Sequence, residues 1–167
     1  SFVQIGYFCG AKRAADSLVE VFRNSLQSKL DISNSPKVLL CVGRDGLGSG
    51  SVQSAFVVSK ATFYNEIIEA SGGTNAYPDS LPHYPRISRE GIIALAPEII
   101  IDLTSSMGAW PCSTIVEDWN SLNMLPAVRN GKVFCIAADY CTVPGPGILL
   151  LCHDLRNIIR SCEKSQS

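Results

Sequence analysis

Three runs constrain this chain most: "KVLLCVG" at 37–43, "EIIIDL" at 98–103 and "KVFCIA" at 132–137. Each is almost continuously apolar and rich in β-branched residues, the pattern of a strand covered on both faces rather than one. The stretches between them carry helical periodicity. Strands separated by helices need crossover connections, which are right-handed and build a mainly parallel sheet between two helical layers. The expected fold class is therefore α/β, a three-layer sandwich around a small, mainly parallel sheet. Ligands of such sheets gather at the carboxyl ends of the strands. Here those ends are the loops 43–50, 104–110 and 138–147, all bearing glycines or aromatics.

The helices follow from apolar spacing. Ala14, Leu18, Phe22, Leu26 and Leu30 recur at four-residue steps and predict an amphipathic helix over 11–30, broken by Asn34, Ser35 and Pro36. A helix over 62–71 turns Phe63, Ile67 and Ile68 inward and closes on Gly72-Gly73. Ser88 fits the N-cap of a short helix ending at Leu95, before Pro97. Pro111 suits the first turn of a helix over 111–122, with Ile115, Trp119 and Leu122 on one side. A last helix begins near Pro146, striped by Ile148, Leu151, Cys152, Leu155, Ile158, Ile159 and Cys162. Residues 44–60 read as a long glycine-rich loop with a short extended piece at 56–58, and 74–87 as a loop with three prolines.

At 167 residues the chain suits one domain with a real core and leaves little room for a second. A net charge of −1 offers no basic stripe, which excludes nucleic acid as a partner. No apolar run is long enough to span a bilayer. The start, "SFVQIGYFCG", has no basic n-region or small-residue cleavage site, which fits either a cytosolic chain or a mature exported one. The seven cysteines (9, 41, 112, 135, 141, 152 and 162) include no C-x-x-C pair, so zinc and redox motifs are not indicated. Most sit in apolar contexts and read as small buried hydrophobes, and the odd number leaves at least one outside intramolecular pairing.

No catalytic constellation is legible. The spacing of Gly43, Gly46, Gly48 and Gly50 matches neither G-x-G-x-x-G nor a phosphate-binding P-loop, and the extended-looking "SVQSAFVVS" follows where a cradle needs a helix N-terminus. There is no G-x-S-x-G. His83 and His153 have no partner at metal-ligand spacing and read as structural. What remains are aromatics in loops: Tyr84, Trp110 and Tyr140, each beside Pro or Gly. Aromatics presented at strand ends suit a large, flat, partly apolar ligand.

The order of the segments "VLLCVGRD", "KATFYNEIIEASGGTNAY", "YPRISREGIIALAPEIII", "LPAVRNGKVFCI" and "PGPG" resembles the C-terminal lobe of periplasmic substrate-binding proteins serving ABC importers of cobalamin, haem and ferric siderophores. These are the two-lobe proteins joined by one long helix. The third and fourth segments are the most specific. The resemblance implies a Rossmann-like lobe over 11–167, the end of the connecting helix over 1–10, and no N-terminal lobe in this chain. It implies a non-enzymatic, extracytoplasmic solute-binding component, membrane-anchored in some full-length forms, with no intrinsic cofactor and a metal complex (corrinoid, haem or ferric siderophore) as its ligand.

Carried over by position, the resemblance assigns Arg44, Phe56, Tyr84, Trp110, Asp139 and Tyr140 to the ligand side. It makes Glu90 of the Ser-x-Glu step the carboxylate that docks on arginines of the permease. An acid in a first turn also serves the helix dipole, so the two roles are compatible. Where relatives that hold anionic siderophores carry arginines, this chain has Val143 and Gly147, which favours a corrinoid or haem-like ligand. Two other readings stay open: a tetrapyrrole chelatase-like enzyme using His83, and a lobe that pairs with a second copy of the chain across its uncovered face.

Overall fold

β1 (Lys37–Arg44) lies at the centre of the sheet, and its alternation divides the molecule. Val38 and Leu40 face one hydrophobic core while Leu39 and Cys41 face another, all fully buried. The structure, a computed structural model, describes residues 35–141 and 147–164. The predicted helix over 11–30, the connecting-helix end at 1–10 and Val143 lie outside the described residues.

After β1 come β2 (Ser54–Val57), α1 (Phe63–Ala70), β3 (Thr74–Asn75), β4 (Arg86–Ser88), α2 (Arg89–Leu95), β5 (Ile99–Thr104), α3 (Cys112–Asp118), α4 (Pro126–Arg129), β6 (Val133–Ala137) and α5 (Ile148–Lys164). Short 3₁₀ turns occupy 119–122 and 139–141. The sheet order is β4-β2-β1-β5-β6, with β3 also on β1. The three strands expected from the sequence are present and parallel, Leu40 beside Ile101 and Ile101 beside Phe134. β3 joins β1 in parallel. β2 is antiparallel to β1 and to β4, so β4 runs in the same direction as β1.

The first core fills the space between the sheet and α1 and α5, with Ile67, Ile68, Leu151, Leu155 and Ile159. The second packs α2, the 119–122 turn and α4 on the opposite face, with Ile92, Ile100, Trp119, Leu122 and Leu125. Each fully buried aliphatic of this kind contributes about 1.5–3 kcal/mol relative to exposure. The α/β sandwich is therefore held by its two layers of apolar side chains and not by its loops.

Helix ends follow local chemistry. α1 closes as expected on Gly72-Gly73: Gly72, at φ +94°, donates to Glu69 O and Gly73 to Ile68 O. Gly73 is needed for packing, since a Cβ there would lie 2.7 Å from Val38 Cγ2. The helix expected over 111–122 divides into α3 and the 3₁₀ turn. A disulfide joins Cys112 at the start of α3 to Cys135 of β6, with Cα atoms 5.4 Å apart. That corrects the reading of these two as small buried hydrophobes. Crossover brings together residues whose spacing in sequence matches no motif. Cys41, Cys141, Cys152 and Cys162 are buried and free.

Candidate functional site

The carboxyl ends of β1, β5 and β6 lie at one end of the sheet, and their loops are tied to one another. Ala138 donates its N–H to Thr104 O at 3.1 Å. Asp139 Oδ1 accepts from Ser105 Oγ, Ser106 N and Ser106 Oγ at 3.2, 3.3 and 2.7 Å. The Ser106 hydroxyl and N–H, with Ser105, hold the Asp139 carboxyl below the usual carboxylate range. The Trp110 ring lies on Gly48, where any Cβ would come within 2.6 Å of it. From α1, Tyr64 donates to Cys141 O at 2.5 Å and meets Tyr84 edge-on, with ring centroids 6.3 Å apart. These contacts tie the 104–110 loop to the 139–141 turn and to Gly48, and link Tyr84 through Tyr64 to that turn.

The Trp110 flank rests on buried charge. Arg44 Nε donates to Asp102 Oδ2 at 2.8 Å and Nη2 to Ile115 O at 2.9 Å, while Nη1 lies 2.8 Å from Asp118 Oδ2. Asp118 in turn accepts from Gly48 N and Gly50 N at 2.7 and 2.6 Å. Both glycines have positive φ, +76° and +75°, a conformation that turns their N–H groups toward the carboxylate without steric cost. Trp119 Nε1 donates to Asp102 Oδ2 at 3.0 Å. Burial pushes the Asp102 carboxyl up, against the pull of Arg44 and Trp119. Asp118 is also desolvated, yet the Gly48 N–H, Arg44 and the Gly50 N–H hold it below its ordinary value.

Arg44 was expected on the ligand side. Its side chain has no solvent exposure, so in this fold it is a support beneath the rim. The reason is an irregularity in the β1–β2 register between Cys41 and Gly43, which turns Arg44 toward Asp102 of β5 and Asp118 of α3. Asp102 and Asp118 were not singled out from the sequence. The signal was available: a carboxylate inside "EIIIDL", a strand buried on both faces, requires a buried partner.

The other flank is open. Phe56 is 38% exposed, Tyr84 44% and Trp110, across the rim, 45%. Tyr140 is half-buried and donates to Asp154 Oδ2 at 2.5 Å, which together with desolvation pushes its phenol up to about 12. Gly147 leaves room for it, since a Cβ there would fall 2.5 Å from Tyr140 Cβ. Tyr64, buried, was missed because it sits among ordinary core residues of α1.

Glu90 leaves the same end of the sheet, because β4 runs parallel to β1. Each residue of the Ser-Arg-Glu step has its own task. Ser88 Oγ accepts from Gly91 N at 3.3 Å as the N-cap. Arg89 turns inward, donating its backbone N–H to Gln53 O at 2.8 Å and Nη2 to Ser121 O at 2.5 Å. Glu90 is exposed, and its carboxyl is held below the ordinary range by its own N–H and the Ser88 hydroxyl.

His83 is exposed. His153 is also exposed, on α5, with Nδ1 3.7 Å from Asp154. Among the described residues no group of three or more His, Cys, Asp or Glu is placed to hold a metal ion. No helix among them is long and apolar enough to cross a membrane.

This fold, with its loop-bearing rim, is that of one lobe of periplasmic solute-binding proteins. A possible iron-binding (periplasmic solute-binding) protein from Staphylococcus epidermidis superposes with a TM-score of 0.74 at 22% identity, over 95% of this chain and 59% of that one. The S. aureus protein IsdE complexed with heme gives 0.70 at 18%, over 94% and 61%. The periplasmic vitamin B12 binding protein of Vibrio cholerae gives 0.64 at 18%, over 93% and 54%. In sequence, the chain is similar to proteins named vitamin B12-binding protein. That of Vibrio parahaemolyticus is 28% identical over 120 residues, 70% of this chain and 38% of the relative. That of Photorhabdus laumondii is 27% identical over 145 residues, 87% and 46%. The resemblance drawn from the motifs holds in both comparisons, and the chain spans less than half the length of these relatives. No family model matches it.

Proposed function

We propose that the chain is one lobe of the solute-binding component of an ABC importer, taking an iron complex or a corrinoid against its rim without chemical change. The observation that supports this is the exposure of three large aromatics, Phe56, Tyr84 and Trp110. Large aromatics half in water gain apolar contact when a bulky ring displaces that water. Tyr140 and Asp139 add polar groups beside them, and Arg44 keeps the Gly48 loop under Trp110. A second lobe, or a second copy, supplies the opposing jaw. The names of the relatives support a corrinoid, and those of the structural neighbours extend the class to haem and iron complexes.

In this reading Glu90 is the permease contact. A carboxylate on a capped helix start is fixed in direction and suits an arginine fork. An extracytoplasmic location is supported by the Cys112–Cys135 disulfide, since such bonds persist in oxidising compartments.

Tryptophan fluorescence tests the reading. Trp119 is fully buried and Trp110 is exposed, so ligand should quench Trp110. Titration with cyanocobalamin, haemin and a ferric hydroxamate, corrected against free tryptophan for inner-filter loss, should give saturable quenching by one of them, with smaller amplitude in Trp110→Phe. No saturable response to any of the three would refute the ligand class.

A further inference from the structure

Cross-strand register places three residues in one row on the open face of the sheet: Gly43 of β1 opposite Phe56 of β2, and Phe56 opposite Arg86 of β4. Neighbours in register share a face. Ala55 and Val57, on either side of Phe56, point the other way into the core. The row is open at one end, since a Cβ built on Gly43 would meet nothing within 4 Å. Its middle is an exposed aromatic ring. Its far end is a guanidinium whose side chain is 58% exposed. Adjacent strands lie about 4.8 Å apart, so the row spans about 10 Å, a platform for a planar macrocycle with its rim toward Arg86.

Arg86 is held ready and not used up. Nε donates to Ser54 Oγ at 3.1 Å and Nη2 to Asp45 Oδ2. Nη1 makes no hydrogen bond among the described residues. Asp45, itself 60% exposed, also accepts from Ser54 Oγ at 3.1 Å. A pair this open to solvent adds little to folding. It does aim the guanidinium beside Phe56, and a planar fork recognises carboxylates bidentately.

Resting on the ligand class proposed above, we propose that Arg86 is a specificity-determining residue that binds a carboxylate on the edge of the ligand. Asp45 occupies the fork in the free protein and yields it to the ligand. The favoured ligand is then a planar metal chelate with acidic side arms. This supplies a cation from β4, where the sequence has Val143 and Gly147 in place of the arginines of relatives that hold anionic siderophores.

The test compares haemin, which carries two free carboxylates, with haemin dimethyl ester, which carries none, by titration of the full chain. Arg86→Ala is expected to weaken haemin binding about tenfold while leaving the ester unchanged. Asp45→Asn, which keeps an acceptor for Ser54 and removes the competing charge, is expected to tighten haemin binding several-fold and again spare the ester. If wild type binds both chelates and Arg86→Ala changes both equally or neither, the role of Arg86 is overturned alone. If wild type binds neither chelate, and also fails to bind cyanocobalamin or the ferric hydroxamate, the ligand class itself has failed. If it binds only those other two, the class stands and the preference for acidic chelates is overturned.

Discussion

The two flanks of the rim are built in opposite ways. The Trp110 flank is fixed from beneath by Arg44, Asp102 and Asp118, whose side chains are essentially sealed from solvent, and by a disulfide at the start of α3. The Tyr84 flank keeps its chemistry in water: Phe56, Tyr84, Arg86 and Asp45 are all exposed, held by strand pairing and one ring contact. The difference separates two duties. Buried charge fixes loop geometry at an expense in desolvation, while exposed aromatics and ions cost little in the free state and gain on binding.

Substitutions on the first flank should therefore cost stability, and those on the second should cost binding. The largest effect is expected for Arg44→Ala, which strands two carboxylates in the interior and should destabilise by about 3–5 kcal/mol in urea unfolding. A loss well under 1 kcal/mol would mean that the flank is not held by charge. Opening the disulfide by Cys112→Ser with Cys135→Ser removes a closed loop of 23 residues' separation and should cost about 3 kcal/mol. Asp118→Ala frees the Gly48 and Gly50 N–H groups and should cost about 2 kcal/mol.

The same flank predicts a pH dependence. The folded-state pKa of Asp118 is depressed, so its contribution is complete above the unfolded carboxylate range, near pH 4, and is lost as pH falls through the folded value. Asp102, shifted upward by burial, acts in the opposite sense. The acid limb of the stability profile should thus become shallower in Asp118→Ala than in wild type, as read by unfolding at pH 2 to 6. Smallest of all is the effect of Glu90→Ala on the isolated chain: no measurable change in Tm or ligand affinity, but reduced uptake in the full transporter. Unchanged uptake would remove the docking role.

The layered fold was legible because both faces of its strands are covered, and continuous apolar runs in "KVLLCVG" and "EIIIDL" admit few alternatives. β2 was visible only as a short extended piece. β3 and β4, two and three residues long, were invisible, since so few residues show no period. Their absence from the sequence reading also hid the row that joins Phe56 to Arg86. Tyr84 and Trp110 could be read as exposed loop aromatics from their Pro and Gly neighbours alone. Arg44 could not, because its direction depends on a register shift that no local pattern encodes. The Ser88-Arg89-Glu90 step was fully readable as a cap, and only the inward turn of Arg89 required coordinates.

We propose that the exposed aromatics on the open flank form a ligand-binding surface that the fold itself does not need. The double variant Phe56→Ala with Tyr84→Ala measures this most directly, by titration calorimetry with the best of the three ligands and thermal unfolding of the same sample. The expected result is at least a tenfold loss of affinity with Tm nearly unchanged. Full-strength binding by the double variant would contradict it.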